Sequence, residues 1–105
     1  MSHYCVQYSP AAYEDLRAVY RYIALELQAE ETAQHQTARI RRAVRTLDRF
    51  PHRHPTVDWE PWMSMGVHKV PVDNYYVFYR VDEKMQTVTI LRIFYADRDI
   101  ENIIK

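Results

Sequence analysis

Val67 to Tyr95 reads VHKVPVDNYYVFYRVDEKMQTVTILRIFY, and this stretch decides the fold. Two polar breaks, Asp73-Asn74 and Asp82-Glu83-Lys84-Met85-Gln86, divide it into three apolar runs. Val67 to Val72 is the first predicted strand. Tyr75 to Val81 is the second, because Tyr75, Val77, Tyr79 and Val81 recur at every other position and so share one face. Thr87 to Tyr95 is the third. It is apolar on both faces, with Val88, Ile90 and Phe94 against Leu91 and Ile93, which predicts a central strand covered on both sides. The short breaks predict antiparallel hairpins.

Upstream, the period changes. Leu16, Val19, Tyr20, Ile23 and Leu27 recur at spacings of three and four, which predicts a helix from about Pro10 to Gln28. Ser9-Pro10 supplies its start: the Ser hydroxyl accepts from an orphan backbone N–H, and Pro suits the first helical position. Ile40, Ala43, Val44, Leu47 and Phe50 predict a second helix from about Glu31 to Phe50, closed by Pro51. The connection is short, so the pair forms an antiparallel hairpin. His3 to Tyr8, with Tyr4, Val6 and Tyr8 alternating, predicts an opening strand. Pro51 to Met65 reads as a loop ordered by its aromatics, and Asp99 to Ile104 as a final helical turn. The expected order is β-α-α-β-β-β: an N-terminal strand, a helical hairpin, then a three-stranded antiparallel meander, in the α+β class and in one domain spanning residues 1–105.

Composition narrows the function. A chain of 105 residues builds one modest core, which rules out a two-lobed enzyme. Lys+Arg and Asp+Glu are 14 each, so a globally basic nucleic-acid binder is not supported, although a local basic patch is compatible with this balance. The single Cys, Cys5, rules out an internal disulfide, and a reducing cytoplasm is the expected setting. No apolar run approaches the ~20 residues of a membrane span, and no signal peptide is expected at the N-terminus. With one glycine, Gly66, the chain has no Gly-rich phosphate loop.

Motifs of nucleophilic or metal-dependent hydrolysis are missing. Polar residues instead cluster toward the ends of the last three strands: His68, Lys69, Tyr76, Arg80, Arg92, Tyr95, Asp97 and Arg98. His and Tyr exchange protons, and Lys and Arg stabilise phosphorane charge. Cleavage of RNA by its own 2′-hydroxyl needs those abilities and no metal or cofactor, and none is expected. The same residues also suit a solvated sheet face. His52-Arg53-His54 invites a metal reading, but loop histidines on a polar surface explain it better. Arg39, Arg41, Arg42, Arg45 and Arg49 make the second helix basic, with Asp48 the only acid between Thr32 and Phe50; a solvated face or a docking face for phosphates or an acidic partner both fit. Trp59, Trp62, Met63 and Met65 form core or, if exposed, a protein-binding surface.

Three strings resemble one family. YSPAAYEDLRAVYRYIA (Tyr8 to Ala24) is similar to the first strand and helix of RelE/ParE-superfamily toxins of bacterial type II toxin–antitoxin modules. RRAVRTLDRFPHRHP (Arg41 to Pro55) is similar to their second helix and its Phe-Pro exit. VPVDNYYVFYRVDEKMQTVTILRIFYADRDIENI (Val70 to Ile103) is similar to their terminal strands, through NYxVFYxV, TVxIxRxxY and RDI. The resemblance implies a growth-inhibiting toxin neutralised by a cognate antitoxin. RelE-like members cleave mRNA on the ribosome; ParE-like members inhibit DNA gyrase without nuclease activity. For the nuclease, the resemblance implies Lys69 and Arg98 as matched catalytic residues, with His68, Tyr76 and Tyr95 as acid–base or stacking groups. Tyr76 stands where the nucleases carry an Arg, Tyr95 where some carry a His, and Ile104 near their C-terminal Tyr. Ribosome-dependent mRNA cleavage, with ribosome and mRNA as partners, is the expected activity. Gyrase inhibition, or an inactive toxin that keeps only antitoxin binding, is the alternative.

Overall fold

The computed structural model describes residues 3–98. The predicted turn at Asp99 to Ile104 lies outside these residues. The elements are β1 (Cys5–Tyr8), α1 (Pro10–Arg21), a π-helical turn (Tyr22–Glu26), α2 (Glu30–Arg45), β2 (His68–Val72), β3 (Tyr75–Asp82) and β4 (Thr87–Tyr95). Short 3-10 turns at Thr46–Asp48 and Pro51–Arg53 lead out of α2. The strands form one sheet in the order β1-β4-β3-β2. β2–β3 and β3–β4 are the antiparallel hairpins predicted. β1 lies at the other edge, parallel to β4, with Val6 opposite Val88 and Tyr8 opposite Ile90. β4 is thus interior, as its apolar faces imply.

The pattern of β4 has a specific cause. The register with β3 shifts between Phe78 and Tyr79, so that Phe78 faces Arg92 but Tyr79 faces Ile90. Leu91 is the extra residue of a β-bulge. The bulge lets Ile90 and Ile93, three apart, both point at the helices, and both are buried.

Ser9 caps α1. Its hydroxyl oxygen accepts from the Ala12 N–H at 3.0 Å and donates to the Leu91 carbonyl at 2.9 Å, so one side chain starts the helix and pins it to β4. The hairpin lays Leu16, Val19, Ile23, Ile40, Val44 and Leu47 on the sheet face formed by Val70, Val77, Tyr79, Val88, Ile90 and Ile93. The other sheet face carries a second small core in which Val57, Trp62 and Val67 of the long loop cover Phe78 and Phe94. Trp59 stacks on Trp62 with centroids 5.1 Å apart, and Trp62 meets Phe78 at 4.9 Å. Gly66, at φ +71, turns the loop back into β2.

Two stripe positions differ from expectation. Leu27 was expected inside but is 56% exposed. The π turn inserts a residue into the helical spiral and rotates Leu27 off the buried stripe. Phe50 is 72% exposed because α2 ends at Arg45, and Phe50 itself takes a left-handed conformation (φ 49) that turns it out and Pro51 in.

Candidate functional site

Strand alternation sorts the candidate residues. Lys69 opposes Phe78, which opposes Arg92; Pro71 opposes Tyr76, which opposes Phe94. These rows form the sheet face away from the helices. Lys69 holds its ammonium 4.5 Å from the Tyr76 ring centroid. Arg98 and Arg92 lie over the Phe94 ring at 5.2 and 4.4 Å. Lys69 and Arg98 therefore flank one cross-strand aromatic pair, and each is stabilised by the negative face of its ring.

Arg92 is not free to bind a ligand. Its Nε and Nη2 donate to the Asp15 carboxylate at 2.7 and 3.0 Å, and the Ile93 N–H donates to the same carboxylate at 2.9 Å. Hydrogen bonding to Asp15 pushes the Arg92 pKa up and keeps the guanidinium charged. Asp15 was not a sequence candidate. Nothing in an acid on a helix marks it as the cap of a strand edge, and only the fold brings α1 to β4.

His68 and Tyr95 stand on the opposite face. His68 opposes Tyr79 and is buried on the helix side. Its ring stacks on Tyr79 with centroids 5.0 Å apart, and its Nδ1 lies 2.7 Å from the His54 carbonyl. A carbonyl only accepts, so Nδ1 carries the proton. Burial pushes the Tyr79 phenol up to about 12, and its hydroxyl donates to the Pro51 carbonyl at 2.6 Å. Burial, then the charges of Arg53 and His68, push His54 below the ordinary imidazole range. Tyr95 opposes Tyr75, and the two rings meet edge to face at 5.7 Å. The structure thus brings together Lys69, Tyr76 and Arg98 and places His68 and Tyr95 across the sheet from them.

His52 points outward to Glu83, which also accepts from the Tyr4 hydroxyl at 2.8 Å. Among the described residues no group of three or more His, Cys, Asp or Glu is placed to hold a metal ion. Nor is any helix among them long and apolar enough to cross a membrane.

A groove of about 660 Å³ runs between α1, the π turn and the end of β4. Val19, Ile23, Leu27, Tyr75, Ile93 and Tyr95 supply its apolar lining. β1 pairs β4 only as far as Ile90; beyond it no strand covers the β4 edge beside this groove, and Ser9 holds the Leu91 carbonyl while Asp15 holds the Ile93 N–H. Tyr22, Leu27 and Tyr95 are exposed around it. Neither this groove nor the strand edge beside it carried a local sequence signal.

The chain is similar in structure to the chromosomal ParDE toxin–antitoxin system of P. aeruginosa, at 22% identity and TM-score 0.71, covering 90% of this chain and 98% of that one. It is similar to the toxin–antitoxin complex RelBE2 of Mycobacterium tuberculosis, at 25% identity and TM-score 0.63, with 92% and 97% covered. It also resembles the archaeal RelE–RelB complex of Pyrococcus horikoshii OT3, at 15% identity and TM-score 0.63, with 91% and 98% covered. Among curated proteins none matches it in sequence. The family model for the ParE toxin of the parDE type II toxin–antitoxin system matches residues 6–100, and the chain belongs to that family.

Proposed function

We propose that this toxin arrests growth by gripping a protein target, DNA gyrase, and does not cut RNA. One observation carries the reading: among the described residues the Lys69–Tyr76–Arg98 cluster holds no imidazole to pair with its amine and its phenol. Attack by a 2′-hydroxyl needs a base on one side of the phosphate and an acid on the other, each within hydrogen-bond reach. The groups beside Lys69 and Arg98 are a phenol and a phenyl ring. The imidazole that would serve, His68, is buried on the far face. The loop bearing Trp62 fills part of the face where a message would lie.

The cognate antitoxin is the first partner. The solved relatives from M. tuberculosis and P. horikoshii are toxin–antitoxin complexes. The apolar groove beside the end of β4 has room for an extended or helical segment that lays apolar side chains against Val19, Ile23, Leu27 and Tyr95.

RNA cleavage keeps one supporting feature, the two ring-stacked cations flanking Tyr76 and Phe94. The test runs purified toxin in a gyrase supercoiling assay and in a translation extract with primer extension on the message. Blocked supercoiling with an intact message supports the proposal. Ribosome-dependent cuts, lost in Lys69→Ala and Arg98→Ala, refute it.

A further inference from the structure

The basic stretch of the second helix has no role in either reading of the target, and the fold shows where its charge goes. Arg39 is consumed by Asp73 at 2.6 Å, supported by Gln36. Arg53 donates to the carbonyls of Thr46, Arg49 and Phe50 and so closes the helix exit. Arg41 and Arg45 are different. They are exposed one turn apart, Arg41 shares a depression with α1, and among the described residues neither has an ion pair; Arg42 and Arg49 are likewise exposed and without an ion pair.

Across the hairpin, α1 presents Arg17 and Arg21, again one turn apart. Arg21 has no ion pair among the described residues, and Arg17 has only an exposed, long contact of 3.5 Å to Glu14. Such a surface contact is weak and leaves the charge available. Arg17, Arg21 and Arg41 line one depression of about 260 Å³ with Tyr13, Leu16 and Tyr20. Tyr8 marks the floor of the same side: burial raises its phenol, while Arg41 and Arg45 act against that shift through their charge. The result is four exposed guanidinium groups, two on each helix of the hairpin, in a protein whose formal net charge is zero.

We propose that this arginine face binds the phosphate backbone of duplex DNA, with Arg17, Arg21, Arg41 and Arg45 contacting phosphates and Tyr13 and Tyr20 donating hydroxyl hydrogen bonds beside them. Residues at i and i+4 stand about 5–6 Å apart at Cβ, so each pair reaches neighbouring phosphates of one strand. Arg and Tyr are among the usual phosphate donors. An acidic protein would also be attracted, since Arg and Tyr serve protein interfaces as well, and it is one outcome of the test below. Here Leu16, the one aliphatic residue of the depression, is already buried in the toxin's own core. Charge and hydroxyls are what the face offers, and a regular polyanion asks for nothing else. The inference does not depend on whether gyrase is the target.

The test measures fluorescence anisotropy of a labelled 30-base-pair duplex of arbitrary sequence with the full toxin, free of antitoxin, over a range of salt. Four phosphate contacts predict a slope of log K on log salt of about −3.6, or roughly a hundredfold loss of affinity from 50 to 200 mM. Arg41→Gln/Arg45→Gln reduces the slope by about 1.8. Arg80→Gln/Lys84→Gln removes the same charge from β3 and its turn and leaves the slope unchanged. Far-UV circular dichroism confirms that both variants are folded. Undetectable binding at 50 mM salt, or a slope that falls equally in both variants, overturns the proposal. Displacement of the DNA by polyglutamate at equal charge concentration reassigns the face to an acidic protein, and tighter binding of duplex RNA reassigns it to RNA; either outcome overturns the assignment to DNA.

Discussion

Replacing Asp15 with Ala removes one carboxylate that holds three donors. Two belong to Arg92, at 2.7 and 3.0 Å, and the third is the Ile93 backbone N–H at 2.9 Å. The Asp15 side chain is 15% exposed and that of Arg92 is 32% exposed, so the pair is neither a surface ornament nor fully desolvated. Breaking a buried pair by deleting one partner costs about 3–5 kcal/mol. Partial exposure lets water reach the released guanidinium, which brings the expected loss to about 2–3 kcal/mol, while a fully exposed pair would give at most about 1 kcal/mol. In a domain of this size that loss lowers Tm by about 10–20 °C. Urea unfolding followed by tryptophan fluorescence measures it, and Asp15→Ala/Arg92→Ala completes the cycle. The double variant recovers part of the loss, because no orphaned charge remains. A loss below about 1 kcal/mol in Asp15→Ala, or a double variant equal to the sum of the singles, refutes the assignment of Asp15 as the clasp of the β4 edge.

Other perturbations separate the remaining features. Trp62→Ala uncovers Phe78 and Phe94 and should destabilise by about 3–5 kcal/mol in denaturant titration, with new binding of an apolar dye at the stripped face. Tyr79→Phe leaves the Pro51 carbonyl without its hydroxyl donor and should cost about 1–2 kcal/mol by the same titration. Asp73 is held below the ordinary carboxylate range, first by its hydrogen bond from Arg39 and then by Gln36. A carboxyl with a depressed folded value stabilises above its unfolded pKa and loses that effect as pH falls through the folded one. The Tm difference between wild type and Asp73→Asn should therefore be present at neutral pH and vanish in strong acid; a difference independent of pH would show that charge on Asp73 is irrelevant.

Much of this molecule is legible in local pattern. Alternation along Tyr75 to Val81 and the three-four spacing from Leu16 to Ile23 report burial directly, because each is imposed by its own element. The parallel pairing of β1 with β4 is not legible, since Cys5 and Thr87 carry no mark of each other. The π turn and the Leu91 bulge each insert one residue, and each defeats a periodic reading beyond that point: Leu27 leaves its stripe, and Ile93 joins Ile90 on one face. For the candidate site, the alternation rule already held the answer. His68 and Lys69 are neighbours in a strand, as are Phe94 and Tyr95, so each pair must divide between the two faces. Lys69 and Tyr76 share a face for the same reason that His68 and Tyr95 do not join them, while Arg98 reaches that face from the turn after β4. The groove and the Asp15 clasp depend on where α1 crosses the end of β1, which is a tertiary fact without a sequence signature.

The place of β4 in the sheet has a consequence for synthesis. Of the described strands β4 is made last, yet it is interior and is the only one beside β1. Without β4 the chain has its helices and can close the β2–β3 hairpin, but β1 has nothing to pair with and the helices have only part of their floor. The pairing that completes the sheet joins residues about 80 positions apart, a closure that is slow to find. The apolar stripe of α1 and α2 consequently lacks Val88, Ile90 and Ile93 beneath it until β4 is in place, so assembly waits on the strand made last.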